Sequence, residues 1–456
     1  MMFTRAFVTP AGASAPKVAP QIVWTEEGLP KIAQHMYSLM LRNMASDGFL
    51  FSDPNDSQLL STPGCIIAAP SAPSNTAGIN QDYVYNWTRD AAITALEIAA
   101  ANTPTAPGTG VEPLVDYVNF AQICQNNATP TLAHASFTID GQSRPWTEQS
   151  DGPALQTLAI LKAYSQLDAA TQATAKAVIG RNLSYLMGAY QSPTTNLWEE
   201  HYGYSFFARS AQLLCLQTVK TNTVGIAAPA GINSAIAWLQ SALQGHWNGT
   251  LYVSVQTVPP APALSGYDPN IDIVSACIYG AIPVTDTKLL ATAAPLRSQW
   301  SDPTSPELYP INITDAANGM GPMLGRYPAD VYDGDTNNSS TGDHPWALCT
   351  CNLAELYYRL AQQIGSSNKV PFDTLSAPFF SQIGVTATTM AADAVTALLN
   401  AGDAMLSAVI YHSDHLELSE QFDGTSGYEK SVRNLTWSYA AFLSAARART
   451  GQSVQG

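Results

Sequence analysis

Glu199 and Glu200 stand side by side behind Trp198, in the run Asn196-Leu197-Trp198-Glu199-Glu200 that leads into a strongly apolar helical stretch. Two ionised carboxylates at adjacent positions repel, and an indole beside them lowers the local polarity. One of the pair is therefore expected to hold its proton near neutral pH, as a general acid must. Taken alone, such a pair reads more simply as a charged turn that opens a helix. The other polar clusters give no rival chemistry. His412 and His415 have a spacing that suits a metal, but no third ligand is evident and they read as surface residues. Cys65, Cys124, Cys215, Cys277, Cys349 and Cys351 are widely spread, and all but Cys65 fall in helical patterns, so they read as small buried apolar residues rather than a disulfide framework. Cys349 and Cys351, two apart on a helix, point to different faces, which argues against a shared zinc ion.

The elements that must position the glutamates are helices. The chain has 456 residues, enough for two or three ordinary domains or one large domain of repeated units. Hydrophobic residues make up 46%, charged residues only 12%, and the net charge is -15. An acidic surface repels phosphate backbones and anionic lipid, which argues against nucleic acid and membrane partners. No apolar run reads as long enough to span a membrane. Residues 1–20 lack the apolar core of a secretory signal, so the chain reads as either intracellular or already processed.

A first amphipathic helix is predicted over 29–44, with Ile32, Met36, Leu39 and Met40 at helical spacing. A long loop follows, through the Pro/Ser-rich stretch 70–75, and ends at Tyr83-Val84-Tyr85-Asn86-Trp87-Thr88-Arg89-Asp90. Beyond it the helical runs come in pairs, each introduced by a polar, aromatic-rich loop: 91–101 with 114–125, 154–167 with 171–190, 206–219 with 232–243, 273–281 with 286–300, and 347–364 with 390–411. The last helix, 435–446, has no follower, and the first has no predecessor. If these two pair across the chain ends, six loops serve six two-helix units and a ring closes. No close sequence repeat accompanies this pattern, so what repeats is architecture. The only clear strand signal is 251–255.

In such a ring the six loops converge at one end and line a pocket. Its lining includes Tyr83, Trp87, Arg89, Asp90, Trp146, Asp151, Trp198, Glu199, Glu200, Arg326, Trp346 and Glu420. Tryptophans, carboxylates and arginines suit sugars: indole faces cover the apolar C–H side of a pyranose, and charged groups hold its hydroxyls.

The segments YNWTRDAAIT, SDGPALQTLA, NLWEEHYGYSFFARSAQ, GRYPADVYDG, HPWALCT and SEQFDGTSG…RNLTWSYAAF, in this order, resemble the successive signatures of the fungal-type glucoamylases, glycoside hydrolase family 15. The resemblance runs from about Leu29 to Arg449 and implies an all-α, (α/α)6 toroid of paired helices. It implies that Glu199 is the general acid and Glu420 the general base of an inverting reaction, which needs their carboxyl groups roughly 6.5–9.5 Å apart to admit a water. It further implies that Arg89 and Asp90 grip the terminal glucose over a floor of Tyr83 and Trp87, and that Arg326 holds further hydroxyls. By the same resemblance Glu200 binds near the acid, Trp346 and Trp437 wall the site, and Trp146, Leu197 and Trp198 complete the substrate contacts. Trp437, inside a helix, suits core and pocket equally.

The reaction so implied is exo-acting release of β-glucose from the non-reducing ends of α-1,4-linked glucan, with no metal or organic cofactor. Other α-glucosides (isomalto-oligosaccharide, dextran, trehalose) and a non-catalytic carbohydrate-binding role are the alternatives. Four departures from the family pattern stand out. Asn196 replaces a frequent aspartate. The nearest tryptophan to Arg144-Pro145 is Trp146, after rather than before it, which leaves open whether Trp146 takes the family tryptophan's place. The stretch 334–342 is a polar insertion, and no starch-binding module is read after the last helix, so raw granules are expected to be poor substrates. The layout expected is an extension over 1–24 and one catalytic domain over 25–456, in a monomer. The Asn-x-Ser/Thr triplets at Asn182, Asn248 and Asn312 fit a secreted glycoprotein.

Overall fold

Alanine loses no side-chain entropy in a helix and lets neighbouring backbones approach closely, so the alanine-rich runs fold as helices that pack tightly. The computed structural model describes residues 28–70, 82–334 and 342–456. Its helices are α1 (Gly28–Leu41), α2 (Thr88–Ala100), α3 (Glu112–Asn127), α4 (Asp151–Ala163), α5 (Ala169–Ala189), α6 (Phe206–Thr221) and α7 (Ile232–Gln244). They continue as α8 (Asp272–Ile278), α9 (Thr287–Ser301), α10 (Pro310–Ala317), α11 (Ala347–Ser367), α12 (Ala377–Ser381), α13 (Ala391–His412) and α14 (Thr436–Thr450).

Contacts run from α2 to α4, α6, α8, α11 and α14 in turn, and α14 returns to α2, so six helices close an inner ring. Around it α3 packs on α2, α5 on α4, α7 on α6, α9 on α8, α13 on α11, and α1 on α14. This is the expected (α/α)6 toroid, and the first and last helices do pair across the chain ends. Side chains knit that seam: Asn43 donates to the Asn434 carbonyl and the Thr436 hydroxyl, both at 2.7 Å, and Thr436 donates to the Ile67 carbonyl. The two rings differ in what they bury. In α4 every residue except Leu161 and Lys162 is buried, because an inner helix has neighbours on all sides. Outer helix α7 buries only the stripe Ile232, Ala235, Leu239 and Leu243, one face at helical spacing.

Short strands hold the loops at one mouth: β1 (Asn86–Trp87) pairs with β2 (Ser136–Phe137), β3 (Thr194–Thr195) with β4 (Tyr202–Ser205) and β4 with β5 (Val255–Thr257), and β6 (Gln421–Phe422) with β7 (Glu429–Lys430). The predicted strand 251–255 is displaced to β5. The Asn248 side chain accepts from the Thr250 and Leu251 amides and folds the run back, bridging Tyr252 to Trp247. Helices α10 and α12 had no periodic signal; they are short and buried through residues such as Ile311, Phe379 and Phe380.

Other expectations meet corrections. All six cysteines are buried, as read. His412 is not a surface residue: its Nε2 bonds the Asp315 carboxylate at 3.0 Å in the interior, while His415 is exposed. Asn182 and Asn312 are buried and spend their amides on Gln156 and on the Trp300 and Met323 carbonyls, which leaves no room for a glycan; Asn248 alone of the three is exposed. Helix α13, at 22 residues, is long and apolar enough by composition to cross a membrane, against the expectation of no such run. It lies against α11, with Asp403 on it paired to Arg449. The extension 1–24, the loop residues 71–75 and most of the insertion, 335–341, lie outside the described residues.

Candidate active site

The inner helices point their N-termini at the mouth held by the short strands, and three of them carry an acid in the first turn: Asp90, Asp151 and Asp272. The β3–β4 hairpin presents the glutamate pair. Asn196, fully buried, builds its turn: the Asn196 side-chain oxygen accepts from the Glu200 amide at 3.0 Å and the His201 amide at 2.9 Å. Its Nδ2 donates to the Tyr267 hydroxyl at 2.6 Å, and that hydroxyl donates on to Glu200 at 2.9 Å. An aspartate here would accept from Tyr267 and turn that relay away from Glu200. The turn holds Glu199 at φ 64, a left-handed conformation that costs a non-glycine residue about 1–3 kcal/mol and is retained where the surroundings over-determine it.

That conformation delivers the Glu199 carboxylate to two indoles. Oε1 accepts from Trp87 Nε1 at 2.7 Å and Oε2 from Trp146 Nε1, with Arg89 Nη2 at 3.7 Å from Oε1. Trp146 is thus brought to the carboxylate, although it stands 58% exposed at the rim. The Arg144 guanidinium lies over Tyr85, Trp87 and Trp146, at 4.0, 5.5 and 4.6 Å from the ring centres, and so fixes the two donors relative to each other.

Glu420 sits just before β6, 4% exposed. Its Oε1 accepts from the Tyr83 hydroxyl at 3.0 Å, and its Oε2 from the Tyr332 hydroxyl at 3.0 Å and from Ser431. Burial pushes its carboxyl above the usual carboxylate range, and the three hydroxyls and Arg326 pull it back only in part. The Tyr83 and Trp87 rings lie 5.8 Å apart. One of them donates to Glu420 and the other to Glu199, so the two carboxylates, 221 positions apart in sequence, share one constellation.

Two arginines complete it. Arg326 is bidentate to Asp330 at 2.7 Å and reaches Glu200 at 2.9 Å. Its guanidinium lies 5.0–5.2 Å from the rings of Trp198, Tyr327, Tyr332 and Trp346. Asp330 and Glu200 outweigh the desolvation and hold it charged. Arg89 bonds Gln149 at 2.9 Å and pairs with Asp90 at 3.4 Å and Asp151 at 3.5 Å. Gly152 permits this approach of α4 to α2, because a Cβ there would come 3.1 Å from that of Thr88. Burial pushes the Asp90 carboxyl up to about 6 against the pull of Arg89.

Trp198 donates to Asn270 at 2.9 Å and stacks on Trp437, whose ring also faces Arg89. Trp437 is 3% exposed, so it is both core and wall. The Leu197 side chain, in contrast, belongs to the core. Trp346 Nε1 is buried without a hydrogen-bond partner in the protein, Asp90 Oδ2 has only its ion pair with Arg89, and Trp437 Nε1 has only the Tyr279 hydroxyl near it. Unspent donors and acceptors beside stacked indoles are what a sugar hydroxyl needs.

Several site residues escaped the sequence reading: Tyr332, Tyr327 and Asp330 lie in the very motif that supplied Arg326, and Arg144 precedes Trp146. Ser431 carried no signal, since lone hydroxyl residues are common everywhere, and Tyr267 marked only the start of the loop that introduces the 273–281 helix.

The family model described as glycosyl hydrolases family 15 matches residues 35–447. Glucoamylase 1 of Rhizopus oryzae is 31% identical over 428 residues, covering 86% of this chain and 68% of that protein. Glucoamylase GLA1 of Saccharomycopsis fibuligera is 27% identical over 476 residues, covering 90% and 87%. Among solved structures, a glucoamylase from Saccharomycopsis fibuligera superposes with a TM-score of 0.76 at 23% identity over 98% of both chains.

Proposed function

The chain belongs to glycosyl hydrolases family 15, and from that premise we propose that it is an inverting, exo-acting glucan hydrolase that frees β-glucose from the non-reducing ends of α-1,4-linked chains. Glu199 protonates the glycosidic oxygen. Glu420 takes a proton from the water that attacks the anomeric carbon from the opposite face. Arg89 and Asp90 hold hydroxyls of the terminal sugar, Tyr83 and Trp87 lie beneath its ring, and Trp146, Trp198, Glu200, Arg326, Trp346 and Trp437 position the rest. Leu197 contributes through its backbone.

The observation that carries this reading is the shared cradle of the two glutamates. Tyr83 and Trp87, adjacent rings on one loop, donate separately to Glu420 and to Glu199. A carboxyl between two indoles can release a proton, and a carboxylate held by hydroxyls can accept one. Below them Trp437 meets Tyr279 edge-on at 6.3 Å and floors the site, which supports attack on chain ends rather than chain interiors. We assign the unit from about residue 25 onward to catalysis as a monomer, and take soluble starch and its oligosaccharides as substrates. Secretion remains part of the proposal, with Asn248 as its one accessible glycosylation triplet among the three considered.

The test is incubation with maltose, isomaltose, trehalose and soluble starch, with the product anomer followed by proton NMR. β-Glucose appears first, fastest from the α-1,4 substrates. Initial α-glucose would overturn inversion, and preference for trehalose or isomaltose would overturn the substrate assignment.

A further inference from the structure

The opposite mouth of the ring holds a second cavity, of 480 Å³, inside the range of about 300–1,000 Å³ usual for small-molecule sites. Every inner helix lines it near its C-terminal half: Leu96, Leu158, Leu214, Ile278, Arg359 and Arg447 come from α2, α4, α6, α8, α11 and α14. It opens between Lys162 and Thr221, both exposed. Tyr279, in its lining, meets Trp437 of the candidate active site edge-on at 6.3 Å, and none of the other catalytic or sugar-binding candidates lines it.

Its arginines are paired and its polar groups incompletely used. Arg447 pairs with Glu97, which lines the cavity, at 2.5 Å. Arg359 pairs with Glu355 at 2.5 Å, and Ser444 donates to the same Glu355 oxygen at 2.8 Å. Each arginine is thus paired with an acid, and Lys162, at the opening, is the one further charge of the lining. Two cavity-lining groups are incompletely bonded: Arg447 Nε, a donor, has no hydrogen-bond partner in the protein, and the hydroxyl of Tyr279, a residue 6% exposed, has only the Trp437 indole N–H near it and keeps its own proton to donate. A buried polar group left unpaired costs about 1–3 kcal/mol, so both are poised for a ligand that supplies hydroxyls.

Charge narrows the ligand class. An anion entering here meets Glu97 and the negative ends of the inner helices, and a cation meets Lys162 at the opening and Arg359 and Arg447 within. A neutral molecule meets neither penalty. The walls Leu161, Leu214 and Val224 offer apolar cover for C–H faces. We propose that the cavity at the far mouth is a second binding site, for a neutral mono- or disaccharide, distinct from the catalytic pocket. It stands independently of the hydrolytic assignment, because none of its residues serves that chemistry.

Equilibrium dialysis of labelled D-glucose against wild-type protein and Thr218→Trp tests it, since the indole fills the mouth without touching the ion pairs. Wild type binds one more glucose per chain than the variant, with folding of the variant verified by Tm and circular dichroism. Tyr279→Phe, which keeps the ring and removes the hydroxyl, weakens binding at that second site roughly fivefold to tenfold. Equal stoichiometry in wild type and Thr218→Trp would overturn the proposal. So would displacement of the second glucose by inorganic phosphate. If Thr218→Trp fails to fold, the Tyr279→Phe isotherm decides: coincidence with wild type sinks the site.

Discussion

The surroundings of Glu199 and of Glu420 are built from different donors. Glu199, with its side chain 16% exposed, is held by two indole N–H groups. Glu420 is buried and held by three hydroxyls. An indole can only donate, whereas a hydroxyl donates and accepts. When Glu199 carries a proton, neither indole nor the Arg89 guanidinium can accept it, so the O–H is directed to an acceptor outside the protein, which on our reading is the glycosidic oxygen. At Glu420 the hydroxyls stabilise an anion and can turn when it is protonated. The difference teaches that adjacent walls of one cavity make an acid and a base of two chemically identical side chains by the donors they offer.

The sharpest way to break this comparison is to replace each carboxylate in turn. Glu199→Gln and Glu420→Gln should each lower kcat on maltose by about 10²–10⁴-fold, the usual worth of general acid–base groups. They separate on α-glucosyl fluoride, whose leaving group needs no proton: Glu199→Gln keeps most of its rate there and Glu420→Gln does not. Equal losses on the fluoride would erase the division of labour.

A smaller effect tests the hydroxyl cradle. Burial already raises the Glu420 carboxyl and Ser431 opposes it, so Ser431→Ala raises it further. A base must be ionised, so the acid limb of the kcat/KM profile moves to higher pH. An unmoved limb would detach Glu420 from that limb.

The indole cradle responds more weakly to Arg144→Ala. It removes a contact worth about 0.5–2 kcal/mol that sets Trp146 against Trp87. We expect a loss in kcat of a fewfold to about tenfold, with Tm nearly unchanged, measured on maltotriose and maltose alike. A loss confined to KM would make Arg144 a substrate contact instead.

The least effect on turnover, and a clear one on stability, comes from Asp272, outside both cradles. Burial pushes its carboxyl up to about 8, above its unfolded value near 3.9. The folded state binds this proton more tightly, so the contribution is present in acid and is lost as pH climbs from about 4 to about 8. Asp272→Asn should therefore flatten the fall in Tm between about pH 5 and about pH 8. An unchanged slope would show that Asp272 stays ionised.

Much of this was legible in the residues. The helix pairs followed from apolar spacing because inner and outer helices bury different faces, and an unpaired first and last helix could only pair with each other. The glutamates and tryptophans stood out because their types are rare and chemically pointed. Tyr332 and Ser431 did not, and Tyr83 was expected as a floor for the sugar rather than as a donor to Glu420, since a hydroxyl's role depends on which carboxylate the tertiary fold brings to it. The misplaced strand and the misjudged His412 have a common cause. A side-chain turn at Asn248 and a buried partner at Asp315 are long-range or local polar events that periodicity does not register.

The seam where α1 meets α14 makes the starting point of the chain immaterial to the barrel. Six units arranged in a circle have no privileged first member once Asn43, Thr436 and Ile67 hold the junction. A circular permutant, with the old ends joined by a linker and new ones cut in the exposed loop near Thr223, should rebuild the same cavity from a reordered message.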